Sequence, residues 1–143
     1  MITERDGSYE LMLSGFSVVY CRVDYAFTLE LADALGFAPF PGVNRVSIRI
    51  GGKFLIETNG VVVSFDPAGP AAGLGPALEL GRERSVAQAI IRRTGDLVLT
   101  FNEGTVLTVP PDEKYEAWEL SGPGGLLVVC VPGGSLAIWS ASP

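Results

Sequence analysis

Lys53-Phe54-Leu55-Ile56-Glu57-Thr58-Asn59-Gly60-Val61-Val62-Val63-Ser64-Phe65 decides the fold class. Two apolar runs rich in β-branched residues meet at Asn-Gly. Both central residues of a type I′ turn take positive φ, which Asn and Gly tolerate best, so this stretch predicts a tight β-hairpin. The same grammar repeats outward in both directions. Toward the N-terminus, Gly51-Gly52 precedes the hairpin, after a run at 46–50; runs at 17–22 and 25–31 form a pair broken around Asp24. Toward the C-terminus, runs at 86–92, 96–101, 105–109, 115–120, 126–131 and 135–139 are separated by Thr94-Gly95, Asn102-Glu103-Gly104, a polar Pro-Pro connector and two Gly-rich turns. One segment breaks the pattern. After the Pro/Gly/Ala loop at 66–75, Pro76 is suited to a first helical position and Gly81 to a stop, which predicts one short helix over 76–81.

Many short strands with turn residues between them predict a mainly β fold. The expected architecture is an antiparallel sandwich or partly open barrel of about ten strands with one short helix. Length fits a single domain over residues 1–143, with 1–15 as an edge or poorly ordered segment. A weak internal repeat is legible: 18–31 and 86–101 both read strand, turn, strand, with Asp24 opening DYAFTLEL and Asp96 opening DLVLTF.

Composition narrows the function classes. The chain is 48% hydrophobic with a formal net charge of −6, and its mean hydropathy is +0.35. That hydropathy is high for a soluble protein, which predicts strands buried on both faces or an apolar surface covered by another chain. The longest clean apolar run, 126–131, is far short of the roughly 20 residues a spanning helix needs. The first residues carry no basic start followed by an apolar stretch, so a cytoplasmic location is expected, with no membrane partner. Ten scattered Lys and Arg against sixteen Asp and Glu argue against nucleic acid and toward a basic protein partner.

Histidine is absent. That removes Ser-His-Asp and Cys-His mechanisms, the commonest general base at neutral pH and most zinc sites. Gly122-Pro123-Gly124-Gly125 lacks the Lys-Ser/Thr of a phosphate-binding loop and reads as a turn. Cys21 and Cys130 lie in apolar runs and read as buried thiols. Carboxylates are the remaining candidates for catalysis, and Asp24 and Asp66 read better as turn residues. The expectation is a domain without catalysis, cofactor or metal.

Tyr115-Glu116-Ala117-Trp118-Glu119-Leu120 is the most distinctive stretch. Read as a strand, it alternates, so a core-facing Trp118 and Leu120 carry Glu116 inward with them, where it needs a cation such as Arg45, Arg49 or Arg92. This run, the apolar strand after it, Pro132-Gly133-Gly134 and Leu136-Ala137-Ile138-Trp139 resemble an uncharacterised bacterial family in which a Tyr-Glu-Ala-Trp motif closes a small β-rich domain. VDYAFTLEL at 23–31, VSFDP at 62–67 and LVLTFNEGTVLTV at 97–109 extend the resemblance over residues 18–139. It implies no established activity and no catalytic residues. Small acidic proteins of this type look like toxin-neutralising immunity proteins and other partner-binding modules.

The functional expectation is therefore a protein-binding domain, an immunity protein among the roles considered, with a small-ligand-binding β domain as the alternative. A carboxylate-dependent enzyme is the third reading, and it needs two close acids in a deep cleft. Candidate binding residues are Tyr115, Glu116, Trp118, Trp139, Asp24 and Tyr25, the aromatic ones as the wall of a ligand pocket in the alternative reading. Open strand edges and high hydropathy predict a homodimer.

Overall fold

A computed structural model of the chain describes residues 1–33, 44–82 and 84–140. Among these, the strands are β1 (Ile2–Arg5), β2 (Ser8–Leu11), β3 (Ser17–Val23), β4 (Phe27–Ala32), β5 (Arg45–Ile50), β6 (Phe54–Thr58), β7 (Val61–Phe65), β8 (Val86–Ile91), β9 (Leu97–Phe101), β10 (Val106–Val109), β11 (Trp118–Ser121), β12 (Leu127–Cys130) and β13 (Leu136–Trp139). They form a seven-stranded sheet in the order β1-β2-β8-β9-β10-β6-β7 and a six-stranded sheet in the order β13-β12-β11-β5-β4-β3. The pairings are antiparallel throughout. The two inner faces share one apolar core that includes Phe27, Leu29, Ile48, Phe54, Leu99, Leu107 and Trp118. This is the sandwich; no barrel closes among the described residues.

The strand count is thirteen rather than about ten. The surplus includes β1 and β2, a hairpin at the edge of the larger sheet joined to β8 by Tyr9↔Ile91 and Leu11↔Ala89. Glu4, Arg5, Asp6 and Glu10 hid it, because charges on a solvent-facing edge hairpin break the apolar alternation that marks a strand. The short helix α1 spans Leu74–Glu79, two residues earlier than expected. No described helix is long and apolar enough to cross a membrane.

The weak repeat is a real structural relationship. The β3–β4 hairpin pairs Val18↔Leu31, Tyr20↔Glu30, Cys21↔Leu29 and Val23↔Phe27, with a slip between Val18 and Tyr20. The β8–β9 hairpin pairs Val86↔Phe101, Gln88↔Thr100, Ala89↔Leu99 and Ile91↔Leu97, with its slip between Val86 and Gln88. The bulge falls at the same place in both. Ser17 and Ser85 pair across the junction of these hairpins, with hydroxyl oxygens 3.1 Å apart. Around them the backbone bonds are reciprocal: Val18 N–H donates to Arg84 C=O at 2.9 Å and Val86 N–H to Phe16 C=O at 2.7 Å.

That local two-fold extends through the domain. β3-β4-β5 and β8-β9-β10 are equivalent three-stranded meanders, one in each sheet. The hairpin that follows each meander crosses to the other sheet. β6-β7 pairs with β10, and β11-β12 pairs with β5. Two half-repeats therefore exchange hairpins, so neither half completes a sheet alone. By register, Phe54 is the counterpart of Trp118, and both are fully buried.

α1 braces the side of the sandwich between β7 and β3. Ala77 and Leu80 are buried beneath it. At its start, a side chain at Gly73 (φ 82) would overlap the Ser64 carbonyl oxygen of β7. At its end, a Cβ on Gly81 would lie 2.6 Å from the Cys21 sulfur of β3. Glycine lets the backbone sit directly on both strand edges.

Candidate functional site

One row of paired residues crosses the smaller sheet: Val23, Phe27, Ile50, Trp118, Cys130 and Leu136. Beyond that row the chain turns at 24–26, at Gly51-Gly52, before Trp118 and at 131–135, so these segments share one end of the sandwich. Asp24, Tyr25, Tyr115, Glu116 and Trp118 are all brought there. Trp139 is not. It pairs with Leu127 at the opposite end, 54% exposed.

Tyr25 occupies the tip of the β3–β4 turn and is 92% exposed. Asp24 makes that turn rigid. Its Oδ1 accepts the Ala26 N–H at 2.9 Å, its own N–H donates to the Ala26 carbonyl, and Arg22 lies 3.5 Å from its other oxygen. The Ala26 N–H bond first, and the charges of Arg22 and Arg49 after it, hold the Asp24 carboxyl below its ordinary pKa.

Tyr115 is presented in the same manner. Asp112 Oδ1 accepts the N–H groups of Lys114 (2.8 Å) and Tyr115 (3.3 Å). These bonds, Lys114 first, hold the Asp112 carboxyl low, and its hydrogen bond with the Tyr115 phenol raises the phenol pKa. The Tyr115 ring lies across Gly52, where a Cβ would stand 3.8 Å from it. Asp66 caps a third such turn by accepting the Ala68 N–H at 3.0 Å, and its charge also reaches Tyr115.

Glu116 is exposed, contrary to the alternating pattern. The strand begins at Trp118, so residues 115–117 are not pleated and Ala117 and Trp118 are buried consecutively. The Ala117 carbonyl accepts the N–H groups of Gly51 and Gly52, which holds this stretch against the end of β5. Arg49, Glu116 and Glu119 line a dimple of about 30 Å³, room for a single water.

Trp118 is 1% exposed and serves the core. Its indole N–H donates to the Gly95 carbonyl at 3.0 Å, and the Cys130 thiol approaches the same oxygen at 3.5 Å. Trp118, Trp139, Tyr115 and Tyr25 therefore line no common pocket. Cys21 and Cys130 are free thiols; Cys130 is buried and Cys21 half-buried, less enclosed than its apolar run implied. Burial pushes the Cys130 pKa up to about 11.

The opposite end holds a cleft of about 460 Å³ between α1, β6 and the turn before β10. Ile56, Pro76 and Leu80 form its apolar walls. Arg84 clamps it, with Nη1 3.2 Å from Glu103 Oε1, Nη2 donating to the Glu79 carbonyl at 2.8 Å and the guanidinium 5.6 Å from the Phe101 ring centre. Glu103 Oε2 accepts the Thr105 hydroxyl at 2.7 Å, and Thr105 lies 3.2 Å from Thr58. Arg84 Nε is buried without a partner among the described residues. Nothing in the sequence marked this cluster, because its members are distant in the chain and Glu103 reads only as a turn residue. No group of three or more metal-ligating side chains is present among the described residues.

These features define a class: a two-sheet antiparallel β-sandwich built from two half-repeats with exchanged hairpins. The chain belongs to DUF6188, a family of unknown function, whose family model matches residues 9–140. No curated protein and no solved structure matches it.

Proposed function

We propose that this protein is a non-catalytic protein-binding domain that docks its partner on the rim bearing Tyr25 and Tyr115. The observation that carries this reading is Tyr25, a large aromatic side chain in solvent on a turn locked by Asp24. A tyrosine on a fixed turn has only its own side-chain rotamers to lose on binding and contributes large contact area, which is why such residues anchor interfaces. The fold does not require this exposure. In the equivalent turn of the other half-repeat, Gly95 is packed down onto Trp118 and Gly134.

The charge balance supports recognition of a basic partner. Asp24, Asp66, Asp112, Glu113 and Glu116 lie at this rim together with Arg22, Arg49, Lys53 and Lys114, so the acidic bias that favours a basic partner is that of the whole chain, with its formal charge of −6. Charge complementarity of this kind accelerates encounter and selects partners. A bacterial toxin neutralised by its immunity protein is the partner class we favour. The half-buried free thiol of Cys21 suits the reducing cytoplasm as the compartment. Lowered rather than raised carboxyl pKa values at Asp24 and Asp112 fit turn caps and not general acids. We also take the protein to be a homodimer, on its hydropathy and open strand edges.

The test is comparative capture from native extract. Wild type and Trp139→Ala are expected to retain the same basic protein, and Tyr25→Ala/Tyr115→Ala to lose it while keeping the wild-type melting temperature. Equal capture by all three overturns the reading. A second reading, a small-ligand domain, rests on the 460 Å³ cleft at Arg84, a volume typical of ligand sites. A small molecule retained in native mass spectra of wild type and lost in Arg84→Gln would favour it.

A further inference from the structure

The half-repeats are not finished alike. β7 and β12 are equivalent strands, the second members of the exchanged hairpins. β12 is covered along its outer side by β13, with Leu127↔Trp139 and Val129↔Ala137 among the pairs. Among the described residues β7 has no such neighbour and is the edge of its sheet. Val61, Val62 and Val63 carry no charge or proline, the usual protections of an edge, and Val61 and Val62 are 63% and 58% exposed.

The register says which backbone groups are open. In a hairpin with a two-residue turn, the residues flanking the turn, here Thr58 and Val61, hydrogen-bond to each other. Alternation then directs the N–H and C=O of Val62 away from β6. Those of Ser64 also point outward, but Gly73 sits on the Ser64 carbonyl. The open edge is centred on Val62.

We propose that this edge binds the same edge of a second copy, with the two β7 strands antiparallel about Val62. Val62 N–H then donates to Val62 C=O of the second copy and the reverse, and Val61 faces Val63 of the second copy. The segment is self-complementary, so the contact closes as a two-fold dimer. Pairing β7 with β13 of another copy would be head-to-tail and would not close by itself. Glu57 pairs with Val62, so the row across the dimer reads Glu57, Val62, Val62, Glu57. Its carboxylates stand about 14 Å apart, three strand spacings, which is beyond the screening length in physiological salt. The contact is short, so association is expected to be weak.

This inference rests on the homodimer reading, and light scattering over roughly 1–300 µM, where weak interfaces associate, separates the two. Wild type is expected to rise from 15.1 kDa toward twice that mass, while Val62→Lys stays monomeric with an unchanged circular dichroism spectrum. In a Cys21→Ser background, Val62→Cys is expected to cross-link under mild oxidation and Val61→Cys is not. Position 62 meets itself at about 5.5 Å between Cα atoms, within disulfide range, whereas position 61 meets 63. A wild type that stays monomeric sinks both the dimer and the edge. A dimer that persists in Val62→Lys, or that cross-links at 61 and not at 62, sinks the edge alone.

Discussion

Trp118 and Gly95 tie the two sheets together: the indole N–H of the smaller sheet donates to the carbonyl of the β8–β9 turn of the larger one at 3.0 Å, in the buried interior. Trp118→Phe keeps most of the apolar volume and removes the donor. It is expected to cost about 1–3 kcal/mol, because the Gly95 carbonyl keeps only the weak Cys130 thiol. A lower urea midpoint with an unchanged slope in equilibrium unfolding would bear this out. No change in midpoint would mean water replaces the indole.

The turn that receives this bond tolerates no side chain. Gly95 has φ 98, Gly134 has φ 100, and a Cβ on either would overlap the other turn's backbone. Gly95→Ala and Gly134→Ala are each expected to destabilise by about 2 kcal/mol or more, from backbone strain plus displacement of the opposing turn. Gly104 also has positive φ but open space around it. Gly104→Ala should cost only the strain, roughly 1 kcal/mol. Thermal melts of the three variants rank them.

Asp24 and Asp112 both have lowered carboxyl pKa values in the fold. A lowered folded pKa contributes stability that is present above the unfolded value, near 3.8, and is lost as pH falls through the folded value. The Asp24→Asn/Asp112→Asn double variant is therefore expected to show a shallower loss of stability below pH 4 than wild type. Parallel acid limbs in a pH series of urea midpoints would refute this.

Cys130 ionises at about 11 in the fold against 9.0 ordinarily. A raised pKa means stability falls as pH rises from 9 toward 11, since the unfolded thiol ionises first. At pH 8 a disulfide reagent is expected to label Cys21 slowly, since partial burial raises its thiol pKa too, and Cys130 only after unfolding. Equal labelling rates would show that the core around Trp118 opens.

Phe54 has two aromatic neighbours, Phe27 at 5.0 Å and Phe65 at 5.7 Å between ring centres. Phe54→Ala should cost about 3–5 kcal/mol, the range for a buried aromatic replaced by a cavity. It should also loosen the exchanged hairpin, seen as faster amide exchange in β6 and β7 than in β3 and β4.

Local chemistry made much of this molecule legible in sequence. Asn59-Gly60 closes the β6–β7 hairpin with both residues at positive φ, at 53 and 79. Asp24 and Asp66 are turn caps as their type suggests, because a short carboxylate bonds the N–H two residues on whatever lies around it. The strand-turn-strand repeat was readable as two short matches, since equivalent hairpins need equivalent alternation.

Which face a residue occupies was another matter. Glu116 followed the alternation inward only while 115–120 was taken as one continuous strand; the bonds from Gly51 and Gly52 to Ala117 start the strand at Trp118 instead. Trp118 and Trp139 were both candidates for the wall of a ligand pocket, yet one is core and the other lies at the far end of the sheet. The Arg84–Glu103–Thr105–Thr58 cluster joins residues up to 47 positions apart.

Most strands and turns, and a trace of the half-repeat, were legible in the sequence, because pleat alternation and positive-φ residues act over two to four positions. Strand pairing across the chain decided that the halves exchange hairpins, that Trp118 is buried while Tyr25 is not, and that among the described residues β7 lacks the cover β13 gives to β12. That pairing belongs to the tertiary structure, set by the shared core and not by any short stretch of residues.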